Sequence, residues 1–326
     1  MKTILKNEFR LLRTYPANYS ATDSQHFMED FDVNIKENHV RIYKKASIVQ
    51  LYLFNGLCLQ KEYCLTRKAS SNKKLKAYIK CLIFKKRKIN EGLWVLDQWS
   101  SGYFHWFTEV LPRIISGKEI NKDVKVLLPL HFKQYDFVLE SLRALKTEAA
   151  FYDINRKIVV NKLFAPSHLK PAQFDPEYIL QVRDAFHSNI SKDSPQKKIY
   201  ISRIKANRRK ILNEDELNNM LSALGFITVY MEELSFSNQK DLMNETKILI
   251  SNHGAGLTNM LFMKEGSLVI ELKADALDIN NCFFNLAKAL NHQYYYTINP
   301  GDSKEIQKAN INVDLIKLQG LLTAIY

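Results

Sequence analysis

The amino-acid sequence predicts an α/β protein built from parallel sheets with crossover helices, divided into two domains. Composition gives the first reason: 46% of the 326 residues are hydrophobic and 25% are charged. That is enough apolar surface to offset chain entropy, and it excludes collagen, coiled coil and wholesale disorder. Second, beyond about residue 90 short apolar runs alternate with helical periods, and strand–helix alternation produces parallel sheets. Third, a polar break at Ser191-Lys192-Asp193-Ser194-Pro195 splits that alternation into two sets and marks a linker.

The expected elements follow in chain order. Residues 40–60 are dense in β-branched and aromatic side chains and read as two strands or a long hairpin. Residues 66–88 are polar and basic, opening with the loop-like Ala69-Ser70-Ser71-Asn72. Leu75, Tyr78, Ile79, Leu82 and Ile83 then recur at helical spacing among Lys76, Lys80, Lys85, Lys86, Arg87 and Lys88, which predicts a short basic amphipathic helix. Further strands are expected at 93–96, 124–128, 158–164, 198–202, 227–231, 247–251, 268–272 and 294–298. Helices are expected at 104–115, 133–145, 176–188, 214–224, 239–245, 257–262, 279–290 and 313–324. The division expected is a β-rich N-terminal extension over 1–90, a first α/β domain over 91–192, a second over 193–300, and a C-terminal helical segment over 301–326.

The formal net charge is +13, but it is not spread evenly. Between Lys61 and Lys88 eleven cations stand against one acid, Glu62, a local net charge of +10; the remaining 36 bases and 33 acids leave only +3. Localised charge points to one local partner surface, whereas a protein that grips nucleic acid spreads cations over a face, so no nucleic-acid partner is expected. A basic amphipathic helix suits an anionic bilayer surface through residues 73–88. The other reading of the helix is packing on the domain with a solvated cationic face. Charges break every apolar run of the opening MKTILKNEFRLLR, so no signal peptide is expected, and no stretch approaches the roughly 20 apolar residues of a membrane span. Cys58, Cys64, Cys81 and Cys282 lack metal-site spacing and read as reduced thiols. The expected location is the cytoplasm, at most peripheral on the inner face of the plasma membrane.

Four segments can carry chemistry. In ILISNHGAGLTNMLF a buried strand runs through Asn252, His253, Gly254, Ala255 and Gly256 into a helix that starts near Leu257, with Thr258 and Asn259 in its first turn. Two glycines permit unusual backbone angles and close ligand approach, and the free N–H groups of a helix start suit a phosphate, to which His253 can also donate. In IYISRIKANRRKILNEDE a strand ends at Ser202-Arg203, a loop supplies Lys205, Arg208 and Arg209, and Asn213 caps a helix whose acidic first turn complements its dipole. Arginines at the C-terminal end of a parallel strand are placed to clamp phosphate. In WVLDQWSSGYFHWFTEVLPR, His105 and Glu109 share a helix face, so either can serve as base for a hydroxyl, amid Tyr103, Phe104, Trp106 and Phe107. Pro112 should end or kink that helix and leave Arg113 near its terminus. Lastly, Glu271 lies in the apolar strand LVIEL, where a carboxylate can accept from ribose hydroxyls. The single Asp-x-Asp, Asp30-Phe31-Asp32, lies far from these segments and reads as chance, so no metal site is expected.

Taken in order, Phe104-His105-Trp106 with Glu109 and Leu111-Pro112-Arg113, then Tyr200-Ile201-Ser202-Arg203 with Arg208-Arg209 and Asn213-Glu214, then His253-Gly254-Ala255-Gly256-Leu257-Thr258-Asn259 with Phe262 and Glu271, resemble glycosyltransferase family 61. That family includes capsular-polysaccharide-type bacterial enzymes and eukaryotic xylosyl- and N-acetylglucosaminyl-transferases. The resemblance covers about residues 92–300 and leaves 1–90 without a family role. It implies the GT-B arrangement, two Rossmann-like domains with parallel sheets facing a cleft. It also implies inverting transfer of a hexosyl, N-acetylhexosaminyl or pentosyl group from a nucleotide sugar, UDP-linked by family habit, with no obligatory metal or other cofactor. The acceptor implied is a hydroxyl of a surface glycan: capsule, lipopolysaccharide or glycolipid. His105 or Glu109 would then be the catalytic base. Ser202, Arg203, Arg208, Arg209, His253, Gly254, Ala255, Gly256, Leu257, Thr258, Asn259 and Glu271 would hold the donor, with Glu271 on the ribose. By analogy with the arrangement, the last helix crosses back onto the N-terminal domain. Two other readings compete: a non-catalytic membrane- or nucleic-acid-binding protein on a nucleotide-binding scaffold, and a pyruvyl-type transferase acting on glycans.

Overall fold

The computed structural model describes residues 1–63, 71–186, 194–275, 280–305 and 308–325, and the side chains of all of these except 71–74. The chain forms two compact units, one of Met1–Arg10 with Asn34–Phe186 and one of Leu11–Val33 with His187–Tyr326. Of the expected linker at 191–195, residues 191–193 lie outside the described set, as do Cys64, Arg67, Lys68, Ala69, Ser70, Ile279 and the end of the expected helix at 176–188.

Strand β1 (Lys2–Lys6) opens the first unit. A ribbon of β2 (Phe9–Leu12) and β3 (Asp32–Ile35) carries the chain out of that unit and back, with the short helix α1 (Met28–Phe31) between its strands. The first unit is then built on β4 (Asn38–Val49), β5 (Tyr52–Asn55), β6 (Cys58–Leu59), β7 (Lys86–Leu93), β8 (Val126–Pro129), β9 (Ala149–Tyr152) and β10 (Lys157–Pro166). They form one sheet in the order β6-β5-β4-β10-β7-β8-β9, with β1 also paired to β4. The sheet is mixed: β10, β7, β8 and β9 run parallel, whereas β4 is antiparallel to β1, β5 and β10. Its helices are α2 (Ser71–Ile83), α3 (Tyr103–His105), α4 (Leu111–Ile120), α5 (Asp136–Ala144) and α6 (Pro176–Phe186).

Three expectations are corrected here. Residues 1–90 are not an extension set apart, because β1 and β4–β7 are ladder strands of the same sheet as β8–β10. The basic run 85–88 does not continue the helix: α2 stops at Ile83, and Lys86, Arg87 and Lys88 begin β7, paired to Lys157, Ile158 and Val159 of β10. The strand expected at 93–96 is the buried exit of β7, with Trp94, Val95 and Leu96 fully covered beyond the strand end. Alternating polar residues hid β7 because its first half is solvated and only Gly92 and Leu93 reach the core.

The second unit holds a five-stranded sheet of β11 (Lys197–Ile201), β12 (Ile227–Val229), β13 (Thr246–Asn252), β14 (Leu268–Ala274) and β15 (Gln293–Asn299). Every pairing is parallel, in the order β12-β11-β13-β14-β15. Strand order therefore reverses between β11 and β13, the switch point at whose carboxyl edge open α/β sheets take their ligands. Helices α7 (Glu214–Ala223), α8 (Phe236–Asn244), α9 (Cys282–Ala289) and α10 (Leu315–Ile325) cover the sheet. Leu318 and Leu322 of α10 join Leu217 and Leu221 of α7 against Tyr200, Ile248, Ile250 and Ile270, so the last helix completes the core of the second unit. Segment 11–33 runs along β15: Ala17 N–H donates to Tyr294 O, Asn18 exchanges hydrogen bonds with the Tyr296 main chain, and Phe27 packs against Phe284 and Tyr296. Among the described residues, no helix is long and apolar enough to cross a membrane.

Candidate active site

In the second unit, the sheet register sets Ile201, Ser251 and Glu271 side by side across β11, β13 and β14. Arg203 and His253 therefore follow two residues later at the carboxyl edge of the switch point. The Arg203 guanidinium lies directly over Gly254: a Cβ built there would meet Arg203 Nη1, with Cζ only 2.8 Å away. Gly254 itself is extended, at φ 177°, a conformation any residue adopts. The reason for glycine is thus space for Arg203, and not the special backbone angle expected. Gly256 likewise leaves room for Ile201, whose Cγ2 would lie 3.0 Å from a Cβ.

Arg203, Arg208 and Arg209 form a cluster short of counter-charge. Burial, then Arg203 and Arg208, push the Arg209 pKa down to about 10, and burial followed by Arg208 lowers that of Arg203 against the opposing pull of Glu232. The Nε–H groups of Arg203 and Arg209 are buried without a hydrogen-bond partner. A bound anion would relieve both the repulsion and the orphaned donors. Arg209 takes a left-handed φ of 58°, and its carbonyl accepts from Asn252 Nδ2 at 2.5 Å, which ties the basic loop to the end of β13.

His253 is held from below. Its Nδ1 lies 2.5 Å from Glu271 Oε1, Tyr294 OH donates to Glu271 Oε2 at 2.5 Å, and Phe283 packs edge-on against the imidazole. Burial alone would raise the Glu271 pKa, but Lys273, His253 and the two hydrogen bonds outweigh it and hold the carboxyl at about 2. Burial pushes the His253 imidazole below its ordinary value, only partly opposed by Glu271. A carboxylate only accepts, so Nδ1 carries the proton and Nε2 presents a lone pair. This corrects two expectations. Glu271 is fully covered with both oxygens engaged, so it orients His253 and is not open to a ribose; and His253, with its Nδ1 proton directed at Glu271, presents Nε2 as an acceptor and not as the phosphate donor expected.

The remaining predicted donor residues separate by exposure. Ser202 is buried and donates to Glu214 Oε1 at 2.5 Å, alongside Tyr200 OH at 2.7 Å, so its hydroxyl is spent on fixing α7. Asn213 stands at the N-cap position of α7, but its side chain bonds the main chain of Val313. Leu257, Thr258 and Asn259 are covered within a 3-10 helix, Ala255–Phe262; Gly254 is buried as well, leaving exposed Ala255 and half-buried Gly256 as the outer part of the loop. Asp30 accepts from Asn281 and Asn285, a structural use of the Asp-x-Asp pair. Among the described residues, no three or more His, Cys, Asp or Glu side chains are grouped to hold a metal ion.

A stability test isolates Glu271. A carboxyl held near 2 in the folded state contributes stability that is complete above its free value of 4.5 and is lost as pH falls through about 2. The contribution is about 3 kcal/mol. In urea denaturation, the stability gap between wild type and Glu271→Gln should narrow by that order between pH 5 and pH 2; a constant gap contradicts the assignment.

In the first unit, His105 Nδ1 lies 2.8 Å from Glu109 Oε1, as their spacing predicts. The helix neither ends nor breaks at Pro112. Residues Trp106–Val110 form a π-helical turn, closed by Leu111 N–H donating to Trp106 O, and α4 then runs on to Ile120. Proline clashes with the carbonyl four residues earlier, and a widened turn moves that carbonyl aside. Arg113 is consequently buried mid-helix, bonded to Asp97 Oδ2 at 2.8 Å and Val95 O at 3.0 Å, with Glu109 Oε2 at 3.5 Å. Burial opposes ionisation of Asp97, yet Arg113 and His168 bring its pKa below the ordinary carboxylate value. Asp97, Arg113 and His168 thus form a support that sequence reasoning missed, since their contacts are non-local. Trp106 and Phe107 are core; the exposed aromatic beside His105 is Trp99, with ring centroids 5.0 Å apart.

A parallel α/β sheet with an uncompensated arginine cluster at its switch point, and a separate histidine–carboxylate pair, has the parts of an enzyme that transfers a group from a phosphate-linked donor. The family model described as Glycosyltransferase 61 matches residues 103–270, just over half of the chain. The chain belongs to glycosyltransferase family 61. It is similar to the EGF domain-specific O-linked N-acetylglucosamine transferase of Drosophila melanogaster, 39% identical over 106 residues that cover 31% of this chain and 20% of that protein. The Rattus norvegicus protein of the same name is 34% identical over 117 residues, 33% of this chain and 22% of that one, and the Gallus gallus protein 32% over 108 residues, 31% and 20%. The matched segment spans about a fifth of each relative's length. The family match holds His105, Glu109, the arginine cluster and the Gly254 loop, and stops one residue before Glu271.

Proposed function

We propose that the protein transfers a sugar, with inversion and without a catalytic metal, from a UDP-sugar to a hydroxyl of a surface glycan or glycolipid. The observation that carries this reading is the Arg203 guanidinium seated over Gly254 beside Arg209, with buried N–H groups awaiting an anion. Three guanidinium groups can neutralise a departing diphosphate as its charge develops, the role a divalent cation fills elsewhere. The relatives' names supply the first sugar to test, N-acetylglucosamine, offered here as UDP-N-acetylglucosamine.

In the proposed reaction His105 is the base and Glu109 its positioning residue. Glu109 accepts from Nδ1–H, so Nε2 holds the free lone pair, and His105 is the more exposed of the two. Nε2 takes the acceptor's proton, the acceptor oxygen bonds to the anomeric carbon, and the bond from that carbon to the diphosphate breaks on the opposite face. The diphosphate leaves with the electron pair, and the arginine cluster of the second unit is the part of the chain suited to stabilise its charge. His253 Nε2 accepts from a donor hydroxyl, and Trp99 offers the acceptor sugar an exposed ring.

The test is product formation from UDP-N-acetylglucosamine and other nucleotide sugars with a hydroxyl acceptor, with and without EDTA. Transfer that persists in EDTA with an inverted anomeric centre supports the proposal. Turnover abolished by EDTA and restored by a divalent cation removes the arginine mechanism, and nucleotide-sugar binding without turnover favours a non-catalytic scaffold.

A further inference from the structure

Helix α2 presents its large apolar residues to solvent and its small ones to the core. Ala77 and Cys81 are buried with Val49 and Phe54 of β4 and β5, whereas Leu75, Ile79, Leu82 and Ile83 are 59%, 47%, 69% and 69% exposed, and Tyr78 is 38% exposed. At about 100° per residue these five side chains cover an arc of about 140°, centred opposite Ala77 and Cys81. Lys76 and Lys80 border the arc, and exposed Lys85, Lys86, Arg87 and Lys88 follow within five residues of Ile83. No acid occurs from Tyr63 to Asn90. An exposed apolar face of this width on a helix already anchored by its other side needs a cover.

Charge names the cover. A second copy of this face would bring the same cations together. A nucleic acid would satisfy the cations but leave four aliphatic side chains in water, with no stacking platform for bases. An anionic phospholipid surface satisfies both features, because aliphatic side chains enter the acyl boundary while cations stay among the headgroups. We propose that α2 is a membrane-docking element that lies in the plane of an anionic bilayer on Leu75, Ile79, Leu82 and Ile83. The proposal stands independently of the transfer reaction.

The full chain is sedimented with phosphatidylcholine vesicles with and without phosphatidylglycerol. Binding should require the anionic lipid and weaken with salt. Each neutralised cation should lower the partition coefficient about fivefold, so the triple change Lys85→Gln, Lys86→Gln, Lys88→Gln lowers it about a hundredfold. Leu82→Ser with Ile83→Ser should lower it at least about tenfold. Leu82→Trp reports insertion directly through a blue shift of its emission on anionic vesicles. Transfer to a soluble acceptor should be unchanged in all of them. The proposal is overturned if wild type does not sediment with anionic vesicles, if the variants sediment like wild type, or if Trp emission at position 82 does not shift. RNA retention or self-association that the same variants abolish, without vesicle binding, also overturns it.

Discussion

Replacing Arg203 by Ala should lower turnover about 10²–10³-fold, the usual cost of removing one donor to a developing oxyanion, with little change in unfolding midpoint. The asymmetry follows from its surroundings. Its hydrogen bond to the loop is a long one, 3.4 Å from Nη2 to the Arg208 carbonyl, and Arg208 is a like charge, so the fold loses little when the side chain is removed. Gly254→Ala should reproduce the defect without touching the arginine. The new methyl occupies the place of the guanidinium, which is the end of a flexible side chain and swings away while the backbone, already extended, stays. The two measurements are steady-state turnover and thermal midpoint. Full activity in either variant, at an unchanged midpoint, removes Arg203 from the mechanism.

His105→Ala should lower kcat about 10²–10⁴-fold, the range for loss of a general base. Glu109→Gln should act more mildly: an amide holds the imidazole less firmly and no longer stabilises the positive charge that develops on it. If Glu109 were the base itself, Glu109→Gln would match His105→Ala in depth, and the order of the two effects decides between them. The buried Arg113–Asp97 pair predicts a separate behaviour for its own variants, since breaking such a pair costs about 3–5 kcal/mol of stability.

Local spacing made part of this legible in advance. His105 and Glu109 are four apart on one helix, so their contact needed no knowledge of the fold, and the alternation of strands and helices beyond residue 190 yielded the all-parallel sheet with its switch point. What stayed hidden depended on distant pairings. Glu271 reads as a strand carboxylate free for a ribose until β15 places Tyr294 against one oxygen and His253 closes the other. Gly254 reads as a turn glycine until Arg203 arrives from another strand. In the first unit, antiparallel β4 and the solvated start of β7 disguised a single sheet as an extension and a helix tail. Trp99, the exposed ring beside His105, carries no periodic signal because it lies in a loop.

The strip formed by residues 11–33 has a consequence for biosynthesis. It supplies backbone partners to the outermost strand of the second sheet and inserts Phe27 among Phe284, Tyr294 and Tyr296. Made before the rest of the second unit, it must therefore wait for nearly the whole of that unit before it has anything to bind. Until then β15 has no partner on its outer side, and a fragment beginning after residue 186 would keep that edge open to pairing with other chains. The second unit thus closes last, with its own beginning.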